Sequence, residues 1–157
     1  MLDRDGFRPN VGIILLDDDG QVFWAKRTRG SGWQFPQGGI NNDETAEEAM
    51  FRELYEEIGL KPKHVDVLGC TPEWLHYQLP KKFKKKDSDP AFVGQKQVYY
   101  LLRLLEDESK VDFNCTTSPE FQCYRWVDFW YPAHNVIHFK RKVYQRALRH
   151  LAHLVKA

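Results

Sequence analysis

The segment Thr45–Ile58 constrains this chain more than any other. Thr45 with Glu48 makes a capping-box pattern, and Met50, Leu54 and Ile58 recur at helical spacing. Gly59 is placed to end the helix, and Pro62 prevents its continuation. A helix with one apolar stripe has to lay that stripe against another layer. The same helix carries Glu53, Glu56 and Glu57 at i, i+3 and i+4, so three carboxylates share one side and repel. Such a cluster costs stability unless something positive sits among the acids. Oxygen ligands at this density suit a hard divalent cation, Mg²⁺ or Mn²⁺, which keeps several waters and is shared with substrate phosphates. Arg52, four residues before Glu56, is placed to pair with that carboxylate and direct it. An acidic face is also what an ordinary solvated helix carries, and the spacing alone leaves both readings open.

The formal net charge of +1, from 23 Lys and Arg against 22 Asp and Glu, conceals a sharp segregation. From Asn41 to Leu60 seven acids stand against one base, whereas from Phe129 to the end there are six bases and no acid. A further block, Lys81 to Lys86, places five lysines in six residues. Acidic and basic segments in one small protein suit a site that holds cations and polyanions together. The lysine block admits two readings: a track for RNA phosphates, rewarded by counterion release, or a solubilising loop.

With 157 residues, 42% hydrophobic and 29% charged, the chain is expected to be one soluble domain spanning residues 1–157. The apolar run Ile13–Leu16 falls far short of the ~18 residues of a membrane span, and the N-terminus shows no basic n-region or apolar h-region. Cys70, Cys115 and Cys123 form no CxxC pair, which favours reduced thiols in the cytoplasm. The six histidines have no metal-ligand spacing, and His134, His138, His150 and His153 read as surface positions.

Val11–Leu16 and Gln21–Thr28 read as a hairpin around Asp19-Gly20. Gly30–Gly39 reads as an ordered loop exposing backbone amides. His64–Cys70, Gln95–Leu105 and Tyr124–Phe129 read as strands. Val143, Ala147, Leu151 and Leu154 mark a C-terminal helix over about 136–156. The expected class is mixed α/β.

Gly38, Glu44, Arg52-Glu53-Leu54, Glu56-Glu57 and Gly59-Leu60 together match all nine defined positions of the Nudix box, G-x5-E-x7-R-E-U-x-E-E-x-G-U, over residues 38–60. The chain therefore resembles the Nudix hydrolases. That resemblance implies an α/β/α sandwich around a central mixed sheet, with the box as loop–helix–loop. It implies metal-dependent hydrolysis of a nucleoside diphosphate linked to another moiety. Glu53, Glu56 and Glu57 would bind Mg²⁺ or Mn²⁺, Arg52 would orient them, and Gly38, Gly39, Glu44 and Gly59 would shape the loops.

The flanks "DGFRPNVGIIL", "WQFPQGGI", "EWLHYQLP", "GQKQVYYLL" and "FKRKVY" resemble the branch of that family that acts on RNA 5′ ends, closely related to the dinucleoside polyphosphate hydrolases. Carried over residue by residue, the resemblance assigns Arg8, Arg27 and Lys140 to phosphates or the 5′ nucleotide. It assigns Gln95, Ile137 and Phe139 to the base pocket and makes Glu120 a further metal ligand, for two or more ions in all; Tyr77 is split between pocket lining and core. The implied activity converts a 5′-triphosphate or diphosphate RNA end to a monophosphate, priming the transcript for degradation by a cytoplasmic monomer without a membrane partner. The alternatives are the same chemistry on dinucleoside polyphosphates and a Nudix-fold protein that binds RNA ends without cleaving them. The chain departs from the branch after Glu120, where Gln122 replaces the usual acid, so weaker support of a Glu120-bound metal is expected. Taken singly, Phe139 is expected in the core and Lys140 in solvent.

Overall fold

A computed structural model describes residues 2–84 and 89–155. The elements run β1 (Phe7–Leu16), β2 (Val22–Arg27), β3 (Trp33–Gln34), β4 (Gln37–Gly39), α1 (Ala46–Ile58), β5 (Val65–Cys70), β6 (Leu75–Gln78), β7 (Gly94–Leu104), β8 (Phe121–Val127), α2 (Tyr131–Asn135) and α3 (Arg141–Leu151). The eight strands form one mixed sheet. β1 and β7 pair in parallel from Phe7–Gly94 to Leu16–Arg103, and the remaining pairings are antiparallel.

The apolar run at the end of β1 follows from burial on both faces. Ile14 and Leu16 enter one core with Tyr99, Leu101 and the apolar face of α3, including Val143, Tyr144, Ala147 and Leu151. Val11, Ile13 and Leu15 enter the other core with Met50, Leu54 and Ile58 of α1. The period of two therefore splits one strand between two helices and produces the sandwich.

Several sequence expectations shift. β1 begins at Phe7, ahead of Val11, because Asp3 Oδ1 accepts from the Phe7 amide at 2.9 Å and β7 supplies a partner that far back. The Gly30–Gly39 stretch is not all loop: β3 pairs with β2, and β4 pairs with β1. β6 was not anticipated, although Leu75 and Tyr77 alternate with exposed His76 and Gln78 against β7. β8 starts at Phe121 rather than Tyr124, since β2 offers pairing from Arg27 onward. The expected helix over 136–156 is shorter, Arg141–Leu151, with α2 and a turn at His138–Lys140 before it. Val136 and Ile137 adopt extended backbone, with ψ of 161° and 140°. Val136 is buried in the core, while Ile137 and Phe139 face a cavity. Lys85 and Lys86 lie outside the described residues, so the full lysine block cannot be placed.

Candidate active site

α1 opens as its sequence predicts. The Glu48 amide donates to Thr45 Oγ1 at 3.1 Å, and Glu48 Oε1 accepts from the Thr45 amide at 2.8 Å. It closes at Gly59, whose φ of 75° is the left-handed conformation glycine adopts without a Cβ penalty. Between these ends, burial of Met50, Leu54 and Ile58 fixes the rotation of the helix.

That rotation makes the three carboxylates unequal. The Glu53 side chain is 13% exposed and that of Glu56 46%, while Glu57 is buried among the apolar residues of the helix. A Cβ at Gly38 of β4 would overlap the Glu53 carboxyl group, so only glycine lets the strand lie against this acid. Neither Glu57 oxygen completes a hydrogen bond. Burial first, and then the facing Glu53 carboxyl, push the Glu57 pKa well above the carboxylate range. Burial also raises Glu53, against the opposing pull of Arg52.

Arg52 takes a different principal partner from the one its spacing suggested. Its guanidinium grips Glu44 through Nη2–Oε1 at 2.6 Å and Nε–Oε2 at 2.9 Å, reaches Glu53 Oε1 at 2.7 Å, and donates to the Gly39 carbonyl at 2.8 Å. The expected contact with Glu56 is present but longest, at 3.4 Å. Arg52 is thus the clasp between the loop and α1, and its hydrogen bonds hold the Glu44 pKa down at about 2.

This donor set fits a hard divalent cation: the ligands are all oxygen, and a buried, repelling pair has unpaired oxygens and one guanidinium nearby. Among the described residues no three such side chains close on a single ion position. A hard cation held by only one or two of these carboxylates would take its remaining ligands from water and substrate oxygens. Glu120 lies near the same acids: its charge acts on both Glu57 and Lys140, and its Oε1 lies 3.9 Å from Arg27 Nε.

Glu120 lines a cavity of about 1050 Å³. Its wall brings together Arg8, Arg27, Tyr77, Gln95, Ile137, Phe139 and Lys140, the seven side chains the sequence offered for the substrate, and Glu120, expected there as a metal ligand. Phe139 is half-buried: it packs against the core that contains Tyr77 and also lines the cavity, its ring 5.8 Å from Tyr77 and 5.2 Å from Phe83 between centroids. Lys140 is not solvated. It is 7% exposed, with Nζ at 3.4 Å from Gln34 Oε1 and 3.3 Å from Gln37 Oε1 and no carboxylate partner among the described residues. Burial first, and then the charge of Arg27, lower its pKa to about 8. Gln95 Oε1 is buried without a partner. Arg8 stacks over Phe92 with its guanidinium carbon 4.6 Å from the ring centre.

Sequence reasoning missed Phe83, Phe92, Gln34 and Gln37 as cavity residues. Phe83 sits inside the lysine block, where one aromatic gave no period to read. Gln34 and Gln37 lie within the stretch read as loop. Gln122 Nε2 donates to the Arg27 carbonyl at 3.0 Å, at a bulge where Lys26 pairs with Cys123 and Arg27 with Phe121. It supports the strand carrying Arg27. A second depression of about 680 Å³, over Ile40–Glu44 and Glu48, is lined by acids without a base and does not suit a polyphosphate.

The NUDIX domain profile matches residues 6–147. The chain is 61% identical over 156 residues to an RNA pyrophosphohydrolase of Stenotrophomonas maltophilia (strain K279a), covering 99% of this chain and 76% of the relative. It is 60% identical over 152 residues to an RNA pyrophosphohydrolase of Xanthomonas oryzae pv. oryzae (strain MAFF 311018), covering 97% and 74%. Among solved structures, the E. coli dihydroneopterin triphosphate pyrophosphohydrolase superposes with a TM-score of 0.71 at 16% identity, covering 89% of this chain and 95% of that one, a likeness of fold. With its box complete and the sandwich formed around it, the chain belongs to the NUDIX domain family and is a Nudix hydrolase.

Proposed function

We propose that this chain is an RNA 5′-pyrophosphohydrolase that converts a 5′-triphosphate or diphosphate RNA end to a 5′-monophosphate, initiating decay of the transcript. The observation that carries this reading is one cavity in which Arg8, Arg27 and Lys140 stand with Tyr77, Phe83 and Phe139, and whose wall includes Glu120, an acid whose charge acts on Glu57 of α1. The names of the close relatives from Stenotrophomonas and Xanthomonas support it. In this assignment Glu53, Glu56, Glu57 and Glu120 hold two or more Mg²⁺ or Mn²⁺ ions, which neutralise phosphate oxygens and activate water when bound.

The protein's own groups do the rest. Arg52 fixes the directions of Glu44 and Glu53 and so the shape of the acidic face. Arg27 and Lys140 draw the phosphates toward that face, and the charge developing on the oxygens as the P–O–P bond breaks is met by donors already in position. Phe139 offers a face on which an unpaired base stacks, and Gln95 Oε1 an acceptor for a base N–H. We further assign the chain as a single-domain cytoplasmic monomer; among the described residues no helix is long and apolar enough to cross a membrane.

The test is purified protein with Mg²⁺ and a 5′-triphosphorylated oligonucleotide. A monophosphorylated end is expected. An intact triphosphate alongside rapid turnover of a dinucleoside polyphosphate would refute the RNA assignment, and unchanged turnover by Glu53→Gln would refute the metal mechanism.

A further inference from the structure

Four cations line the cavity, and three of them have polar partners within the protein. Arg27 Nε lies 3.9 Å from Glu120 Oε1, Lys140 Nζ reaches the oxygens of Gln34 and Gln37, and Arg141 Nε donates to the Val136 carbonyl at 3.0 Å. Arg8 differs. Among the described residues its side chain has no ion pair and no hydrogen bond. Its contact is the face of Phe92, with the guanidinium carbon 4.6 Å from the ring centre.

The ring is fixed from both ends of a short segment. Asp89-Pro90 opens a turn in which Asp89 Oδ1 accepts from the Ala91 amide at 2.8 Å and the Asp89 carbonyl from the Phe92 amide at 2.9 Å. Beyond the ring, the Val93 amide donates to the Gly6 carbonyl at 2.8 Å, and the Val93 carbonyl accepts from the Leu79 amide at 3.0 Å. Gly6 has a φ of 86°, and a Cβ there would overlap the Ala91 carbonyl oxygen, so only glycine lets the two segments meet. From the next residues the parallel ladder takes over, Phe7 opposite Gly94 and Arg8 opposite Gln95. Phe92 is consequently 4% exposed, whereas Arg8 remains exposed.

A ring holds a guanidinium differently from a carboxylate. Glu44 and Glu53 fix Arg52 by taking its N–H donors and offsetting its charge. An aromatic face attracts the charge through its quadrupole and leaves the five N–H donors unspent. We propose that Phe92 is a positioning residue: stacked against Arg8, it holds that guanidinium at the cavity wall with its charge and donors kept for the 5′ end of the substrate. Lys84 Nζ, 5.9 Å from the same ring centre, brings the described end of the lysine block to the same ring. A leucine at position 92 fills the space without holding a cation.

The inference rests on the reading of the cavity as the site of a triphosphorylated RNA end, and two measurements keep the two apart. The first needs no substrate: in nitrogen-15 NMR the ring current of Phe92 displaces the Arg8 Nε–H signal, and Phe92→Leu should return it toward that of a free arginine side chain. The second is hydrolysis of a 5′-triphosphorylated dinucleotide in magnesium buffer. Phe92→Leu should raise KM about fivefold and leave kcat within about twofold. Phe92→Tyr, which keeps the aromatic face, should hold KM within about twofold of the unaltered chain. Trifluorophenylalanine at position 92 keeps the shape but weakens the quadrupole, so it should raise KM about two- to threefold, and it replaces the tyrosine variant if that folds poorly. Arg8→Met should raise KM about tenfold, and adding Phe92→Leu to it should cost less than about twofold more. An unmoved Arg8 signal, an unchanged KM in Phe92→Leu or the fluorinated protein, or losses that multiply to about fiftyfold in the double variant overturn the proposal. An unaltered chain that shows the Arg8 displacement but leaves the dinucleotide intact refutes the functional reading and, with it, the role given to the stack.

Discussion

The Arg52 guanidinium holds the Glu44 carboxylate with two bonds, Nη2–Oε1 at 2.6 Å and Nε–Oε2 at 2.9 Å, and spans the eight residues between loop and helix. Every other contact of Arg52, to Glu53, to Glu56 and to the Gly39 carbonyl, is positioned by this grip.

Glu44→Gln is expected to lower stability at pH 7 by about 1–2 kcal/mol, since one charge-assisted bond becomes a weaker one to a neutral oxygen and the other is lost, an amide NH₂ being no acceptor for Arg52. The Glu44 pKa is depressed to about 2, so its contribution is fully present above the ordinary glutamate range and is lost as pH falls through about 2. Urea unfolding should show the gap between the two proteins shrinking between about pH 4 and pH 2.

Glu57→Gln should separate stability from activity. A carboxyl whose folded pKa is raised favours folding at low pH and becomes a penalty as pH rises through that value. In EDTA at pH 7 the variant should therefore be more stable than the unaltered chain, by about 1–2 kcal/mol. Added magnesium should raise the melting temperature of the unaltered protein more than that of the variant. Magnesium-dependent hydrolysis should fall at least about a hundredfold.

Lys140 loses its charge as pH rises through about 8, below the ordinary lysine value, because of its burial. The value of kcat/KM should fall above that pH as phosphate binding weakens. Lys140→Met should lower kcat/KM about tenfold at pH 7 and remove the alkaline limb attributable to this group. A pH–rate profile whose alkaline limb survives the substitution would contradict the assignment.

Phe139→Ala should distinguish base from phosphate recognition. A stacked base is worth about 1–3 kcal/mol, so KM for a triphosphorylated dinucleotide should rise about tenfold or more. Binding of inorganic tripolyphosphate, which has no base to stack on this ring, should change less than about twofold. Parallel calorimetry on the two ligands makes the comparison.

Local signals were read correctly where local physics dominates. The caps of α1, its apolar stripe and the left-handed Gly59 depend on residues within a few positions of one another, and the structure reproduces them. The strands β1, β2, β5 and β7 were recognisable from their apolar content, with shifted ends. β3 and β4 were not, because strands of two and three residues have no period and exist through their pairing with β2 and β1. The break between α2 and α3 escaped for a related reason: Val136 leaves helical backbone to bury itself in the core, a long-range demand.

The nine positions of the box, read in order along the chain, identified the family and set three carboxylates on one helix. They could not grade the three carboxylates, since only the packing of α1 against the sheet buries Glu57, shelters Glu53 against Gly38 and leaves Glu56 in solvent. Nor could one residue at a time reveal Lys140 as a buried ammonium or Gln37 as its acceptor. Those two are 103 positions apart, and the bond between them exists because β4 and the turn before α3 meet at one wall. Spacing reports what a helix or a strand does with its neighbours; desolvation and hydrogen-bond polarity are set by whichever distant segments share the same volume.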